Sequence, residues 1–176
     1  MKTVINIVYA ITLIGVVNAH AQTCNENVAP TNPVERFIDN GDGTVSDKHT
    51  GLIWMRCSLG QAWDGATCTG GASEYTWQQA LQAAEGYTFA GSSAWRMPNR
   101  KQLQSIVERS CYDPAINLTV FPQTPDVDGK YWTSSPDTID DITNSAWIVS
   151  FKYGNNYKKG SISLQGQVRL VRSGGN

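Results

Sequence analysis

Ala94-Trp95-Arg96-Met97-Pro98-Asn99-Arg100-Lys101-Gln102-Leu103 is the stretch on which the fold turns. Trp95-Arg96-Met97 has a strand-like setting. Pro98 fits just ahead of a helix start, where helical hydrogen bonding is not yet required. Asn99 with Gln102 three residues on forms a capping-box pattern, and Leu103, Ile106 and Val107 supply a buried stripe at helical spacing. A second helix lies upstream and is built the same way. Thr76 caps it with Gln79 in the box position. Trp77, Ala80, Leu81 and Ala84 fall at i, i+3, i+4 and i+7 on one face, and Gly86 is the C-terminal stop.

Strands flank this helical centre. Phe37-Ile38 leads through Asp39-Asn40-Gly41-Asp42-Gly43 into Thr44-Val45-Ser46, and Asn-Gly and Asp-Gly pairs between apolar runs mark hairpin turns. Leu52-Ile53-Trp54-Met55 reads as a buried strand. After Cys111 come Pro114, Pro122, Pro125 and Pro136, a long irregular region interrupted by Tyr131-Trp132-Thr133-Ser134. In the late run Ala146 to Phe151, Trp147, Val149 and Phe151 share a face. Ser161 to Leu164 and Gln167 to Val171 are two further strand candidates, joined near Gly166. The pattern is α+β, with two helices and antiparallel strands separated by long loops.

The chain has 176 residues, and its first segment is expected to be a signal peptide. Lys2 precedes a largely apolar run of 14 residues, Val4 to Val17, short of the about 20 a membrane span needs. Ala19-His20-Ala21 then supplies a small-x-small cleavage site. Cleavage after Ala21 leaves residues 22–176, one domain's worth. Residues 22–35, with Pro30 and Pro33, read as an extended arm, and residues 36–173 as the domain. The expected setting is secreted, cell-surface or periplasmic. A formal net charge of −1 gives no basic excess for nucleic acid or an anionic membrane.

An exported chain meets an oxidising compartment, and four cysteines fit two disulfides. Three connectivities are open to sequence. The expected one joins Cys57 to Cys68, closing a Gly-rich loop, and Cys24 to Cys111, tying the arm to the body. No cysteine spacing matches a zinc ribbon or finger, and His49 is the one histidine after the leader.

Seven segments occur in order: Gly43-Thr44-Val45-Ser46-Asp47, Thr50-Gly51-Leu52-Ile53-Trp54, Thr76-Trp77-Gln78-Gln79-Ala80-Leu81, Trp95-Arg96-Met97-Pro98-Asn99, Leu103-Gln104-Ser105-Ile106-Val107, Tyr131-Trp132-Thr133-Ser134-Ser135 and Val168-Arg169-Leu170-Val171-Arg172. This set resembles the DUF1566 family, also described as the C-terminal domain of the Legionella collagen-like adhesin. The resemblance implies a C-type-lectin-like fold, related to the formylglycine-generating and sulfatase-modifying group, with two helices packed on twisted antiparallel strands. It also implies an exported recognition scaffold. The chain lacks the Gly-x-y repeat of a collagen stalk, and it lacks the charge that would suit sulfated glycans.

Binding candidates follow from residue chemistry. Tyr153, Asn155, Asn156, Tyr157, Lys158 and Lys159 sit in an expected hairpin tip, where rings can stack on sugars and amides and ammonium groups can pair with hydroxyls or anions. Trp63, in the Cys57–Cys68 loop, is a second candidate contact. The expected partner is a surface glycan or a protein, and the alternative is a structural component of an envelope or pilus-like appendage. Arg96 is expected to be structural and turned towards the body. The Asp39–Asp47 cluster invites calcium, but it fails the EF-hand pattern, so hairpin turns are its expected role and no cofactor is expected. Asp137, Asp140 and Asp141 read as a solvated loop. No nucleophile–base pair is legible, and no catalytic residue is expected.

Overall fold

The computed structural model describes residues 22–125, 129–137 and 145–175; the side chains of residues 156–160 lie outside that description, as does the expected signal peptide. The strands are β1 (Thr23–Cys24), β2 (Phe37–Asp39), β3 (Thr44–Asp47), β4 (Leu52–Met55), β5 (Ala62–Trp63) and β6 (Cys68–Thr69). Helices α1 (Trp77–Ala84) and α2 (Arg100–Gln104) follow. Then come β7 (Cys111–Tyr112), β8 (Lys130–Pro136), β9 (Ser145–Ser150), β10 (Asn156–Ser161) and β11 (Val171–Ser173). The architecture is α+β, with strands antiparallel in two main sheets, ordered β11-β4-β3-β2 and β10-β9-β8.

The Asn40 to Gly43 turn closes the β2–β3 hairpin. Asn40 N–H donates to Thr44 O at 3.1 Å, and Asp42 Oδ1 accepts from Thr44 N–H and hydroxyl at 3.0 and 2.6 Å. Gly43 has φ +83°, a conformation glycine adopts at no steric cost. Val45, Trp54 and Val171 pair across three strands on one face. They join Phe37, Leu103, Ile106, Phe121, Tyr131 and Phe151 in one core. A second core gathers Met55, Trp95, Met97, Trp132, Ile148 and Leu170. Strand β9 runs between them: Val149 enters the first and Ile148 the second, so the whole strand is buried.

Residues Gln167–Leu170 couple the two main sheets. Gln167 bonds Lys130 O and Trp132 N–H on β8, while Val168 O and Leu170 O accept from Leu59 and Met55 N–H. The expected strand over Gln167–Val171 is therefore a joint, and regular pairing begins at Val171. Ser161–Leu164 is also not a separate strand. Ser161 ends β10, and Leu164 N–H turns back to Ser161 O.

Both capping boxes form, on Thr76/Gln79 and on Asn99/Gln102. The helices are short, eight and five residues. Peptides of that length are not stable alone, so packing holds them in place: α2 buries Leu103, worth about 1.5–3 kcal/mol, and α1 rests the half-buried Trp77 on the second core. Helix α1 seats Ala80 and Ala84 and leaves Leu81 36% exposed. Its small residues bring the backbone close to the core, and Leu81 falls on the flank. Helix α2 ends before Ile106 because Ser105 Oγ donates to Gln102 O, competing with helix continuation. Tighter turns, Ile106 N–H to Leu103 O and Val107 N–H to Gln104 O, keep both side chains buried.

Two disulfides have the expected connectivity, Cys57–Cys68 and Cys24–Cys111. The second joins facing residues of β1 and β7 and fastens the arm. Glu108 continues the clamp, accepting from Thr31 N–H, Asn32 N–H and Ser110 N–H at 2.8–2.9 Å. Burial pushes its carboxyl up, but these bonds and the Ser110 hydroxyl outweigh that and hold it below its usual value.

Candidate functional site

The hairpin tip is a docked turn. Between β9 and β10, Ser150 N–H bonds Asn155 O, and Phe151 N–H bonds Gly129 O. Asp113 N–H bonds Lys152 O at 2.8 Å, and Ala115 N–H bonds Phe151 O. Gly154 has φ +68°, and a Cβ there would lie 2.8 Å from Val107 Cγ1 and 3.2 Å from Ala115 Cβ. The turn is thus pressed onto the first core at a position only glycine fits without displacement.

On this base Tyr153 is 51% exposed, with Lys152 Nζ 5.4 Å from its ring centroid. Asn155 is also exposed. Tyr112, 49% exposed, adjoins the same junction, because Tyr112 and Tyr153 flank the Asp113–Lys152 bond. Sequence reading missed Tyr112; its one signal was a tyrosine following Cys111. Asn156, Tyr157, Lys158 and Lys159 belong to the backbone of β10 and not to the turn, and their side chains lie outside the described residues.

Trp63 has other neighbours. Its ring stacks 4.3 Å from the Arg56 guanidinium, and Gly43 lies so close that a Cβ would meet Trp63 Cγ at 2.8 Å. Arg56 in turn bonds Asp39 at 2.7 Å and the carbonyls of Thr119 and Val120. Trp63 is a half-buried cover over the β2–β3 turn.

Arg96 is exposed, contrary to the expected inward setting. Trp95 and Met97 take the inward positions, and strand alternation turns the residue between them outward. Arg96 bonds Met97 O and Gln102 Oε1.

The inward cation is Arg169, fully buried at the joint between the sheets. Its guanidinium donates to Met55 O at 3.0 Å, Arg56 O, Thr124 Oγ1 at 2.8 Å and Ser58 Oγ at 3.3 Å. It lies 4.9 Å from the Phe121 ring centroid. Burial pushes its pKa down, opposed by Tyr131, yet a guanidinium starts so high that it stays charged. Tyr131 OH lies 2.7 Å from Ser58 Oγ. Burial pushes that phenol up, although the Arg169 charge pulls the other way, so it stays neutral and offers Ser58 no base. The cluster is suited to holding the sheets together.

The acidic turn is committed internally. Asp47 takes a bidentate pair from Arg36 at 2.5 and 2.7 Å, with Thr50 Oγ1 at 2.6 Å. Burial raises the Asp47 carboxyl, but Arg36, Thr50 and the His49 N–H together set it below its usual value. Among the described residues, no group of three or more His, Cys, Asp or Glu is arranged to hold a metal ion. Asp137 is buried, not solvated, with its N–H bonded to Ser145 O; Asp140 and Asp141 lie outside the described residues.

A family model described as the Lcl C-terminal domain matches residues 43–172. No curated protein matches the chain.

Proposed function

The chain belongs to the Lcl C-terminal domain family, and from that premise we propose that it is an exported, disulfide-stabilised binding module of the adhesin kind. It recognises a surface glycan through the turn carrying Tyr153. The observation that carries this reading is the half-exposed ring of Tyr153, on a turn fixed by backbone bonds and by Gly154, together with the half-exposed Tyr112 at the end of β7, whose neighbour Asp113 bonds that turn. Rigid aromatic surface binds with little ordering cost, and Lys152 and Asn155 add polar contacts beside it. Two disulfides support an oxidising compartment. Among the described residues no helix is long and apolar enough to cross a membrane. The test is a glycan array probed with the oxidised protein, beside a cell-surface pull-down. Retention of a defined glycan set is the expected result. Retention of neither glycan nor surface protein defeats the proposal.

A second reading, as an assembly component, has its own observation. Ile38 is 52% exposed on β2, an edge strand of the four-stranded sheet, and Val34 just before it is 45% exposed. Apolar residues at a strand edge suit docking to a partner chain. Recovery of the native protein in a stable envelope complex would favour this reading, and recovery as free monomer would exclude it.

A further inference from the structure

The two disulfides sit in opposite surroundings. Cys57 and Cys68 are 2% and 3% exposed, whereas Cys24 is exposed and Cys111 half-buried. A thiolate must reach a sulfur to break a disulfide, so access sorts the pair. The accessible bridge also fastens a loosely seated segment. Every residue from Thr23 to Thr31 is exposed, and none belongs to either core. Besides the bridge, residues 22–30 are held by the two-residue β1–β7 ladder and by Asn25 N–H on Ser110 O at 2.7 Å. The Gln22 side-chain amide donates to Pro114 O and Ile116 O, each at 2.6 Å. Between this segment and the body lies a cavity of about 350 Å³, walled by Val28 and Pro30 of the arm and by Asn117 and Leu118 of the body. The arm therefore spans a gap instead of packing closely.

The attachment changes character at Thr31. Thr31 N–H and Asn32 N–H donate to the Glu108 carboxylate at 2.9 and 2.8 Å. Asn32 is 2% exposed; its side-chain amide donates to Val107 O at 2.6 Å, and its carbonyl accepts from Asn117 Nδ2 at 2.9 Å. The Arg36 guanidinium closes on Asn32 Oδ1. Residues 22–30 are thus a strap hinged on a buried anchor. Ordering such a strap costs more backbone entropy than a few exposed hydrogen bonds return. We propose that Cys24–Cys111 is a redox latch: a dithiol reductant opens it while Cys57–Cys68 stays closed, and the strap swings out from Thr31. One thiolate of the reductant attacks Cys24 Sγ and forms a mixed disulfide, and Cys111 leaves as a thiolate that takes a proton from water. The reductant's second thiol, deprotonated, then displaces Cys24, which is protonated in turn, and the reductant departs as its own disulfide. Two electrons pass from the dithiol to the cystine. Opening bares the β7 edge and the Leu118 side of the cavity. The latch does not depend on the glycan reading.

The test exposes the oxidised full chain to dithiothreitol, with samples quenched over time by iodoacetamide and read by peptide mass spectrometry. Cys24 and Cys111 are expected to be alkylated at least about tenfold faster than Cys57 and Cys68, in line with their access. Amide exchange of the half-reduced protein then separates strap from anchor. Asn25 N–H should exchange at least about tenfold faster than in the oxidised chain, while Asn32 N–H stays protected. Tryptophan fluorescence should remain native. Cys24→Ser/Cys111→Ser should reproduce the exchange pattern with no reductant present. Both bridges opening together, Cys57–Cys68 opening first, a strap still protected after reduction, or loss of the native fluorescence would each overturn the proposal. Tyr153→Ala should leave all of these readouts unchanged, which separates failure of the latch from failure of the glycan reading.

Discussion

Arg169→Met gives a sharp test of how the two sheets are held together. The guanidinium fills acceptors at Met55 O, Arg56 O, Ser58 Oγ and Thr124 Oγ1 from a fully buried position. Methionine keeps much of the volume and none of the donors. The two hydroxyls have other partners: Ser58 Oγ keeps Tyr131 OH, and Thr124 Oγ1 keeps Phe121 O. The two carbonyls lose charge-assisted donors, at about 1–3 kcal/mol for each group left unsatisfied. Removing a buried charge relieves part of that, since ion burial itself costs several kcal/mol. The orphaned carbonyls outweigh this relief because the charge was already solvated by four acceptors and the Phe121 ring. The net expected loss is about 2–4 kcal/mol, a large share of the about 5–15 kcal/mol of a typical domain. Urea unfolding of the oxidised protein, followed by tryptophan fluorescence, measures it. Arg169→Lys should recover only part of the loss, because an ammonium group lacks the planar fork. A methionine variant as stable as the parent, or more so, would refute the reasoning and make Arg169 a net burden.

The disulfides and the buried carboxylates give further tests. A non-reduced digest should yield Cys57 linked to Cys68 and Cys24 linked to Cys111. Removing the first, with a separation of 11 residues, should cost about 2.8 kcal/mol, and the second, with a separation of 87, about 4.6 kcal/mol from loop closure. Asp47 and Glu108 titrate below their usual values of 3.8 and 4.5. Their contribution is therefore complete above the unfolded-state values and is lost as pH falls through the lower folded-state ones. Urea midpoints should be flat near neutrality and drop as pH falls below about 4.5; a midpoint that rises on acidification would contradict the sign.

Local signals carried the most reliable sequence readings. Thr76/Gln79 and Asn99/Gln102 identified both helix starts because a capping box is satisfied within four residues. The Asn40–Gly43 turn was legible for the same reason. The disulfides followed from the arm needing an anchor and the loop a closure. What sequence did not show depended on distant partners. Arg169 and Arg96 sit in similar apolar surroundings along the chain, yet one is fully buried and the other exposed. Which one lies inside is decided by the carbonyls of Met55 and Arg56, more than 110 residues from Arg169. The turn at Tyr153 was legible as polar and aromatic, but its docking on Asp113–Ala115, and with it the role of Tyr112, arises from tertiary pairing.

The central claim is that the aromatic turn is the recognition surface. The most direct measurement titrates the array's strongest-binding glycan into the wild type and the Tyr112→Ala/Tyr153→Ala variant by calorimetry. Both rings are half exposed, so thermal stability should change little, by about 0.5 kcal/mol per exposed position. Each contact ring is expected to account for more than about 1 kcal/mol of binding, so affinity should fall by about tenfold or more. A folded double variant that binds the same glycan with unchanged affinity would contradict the account.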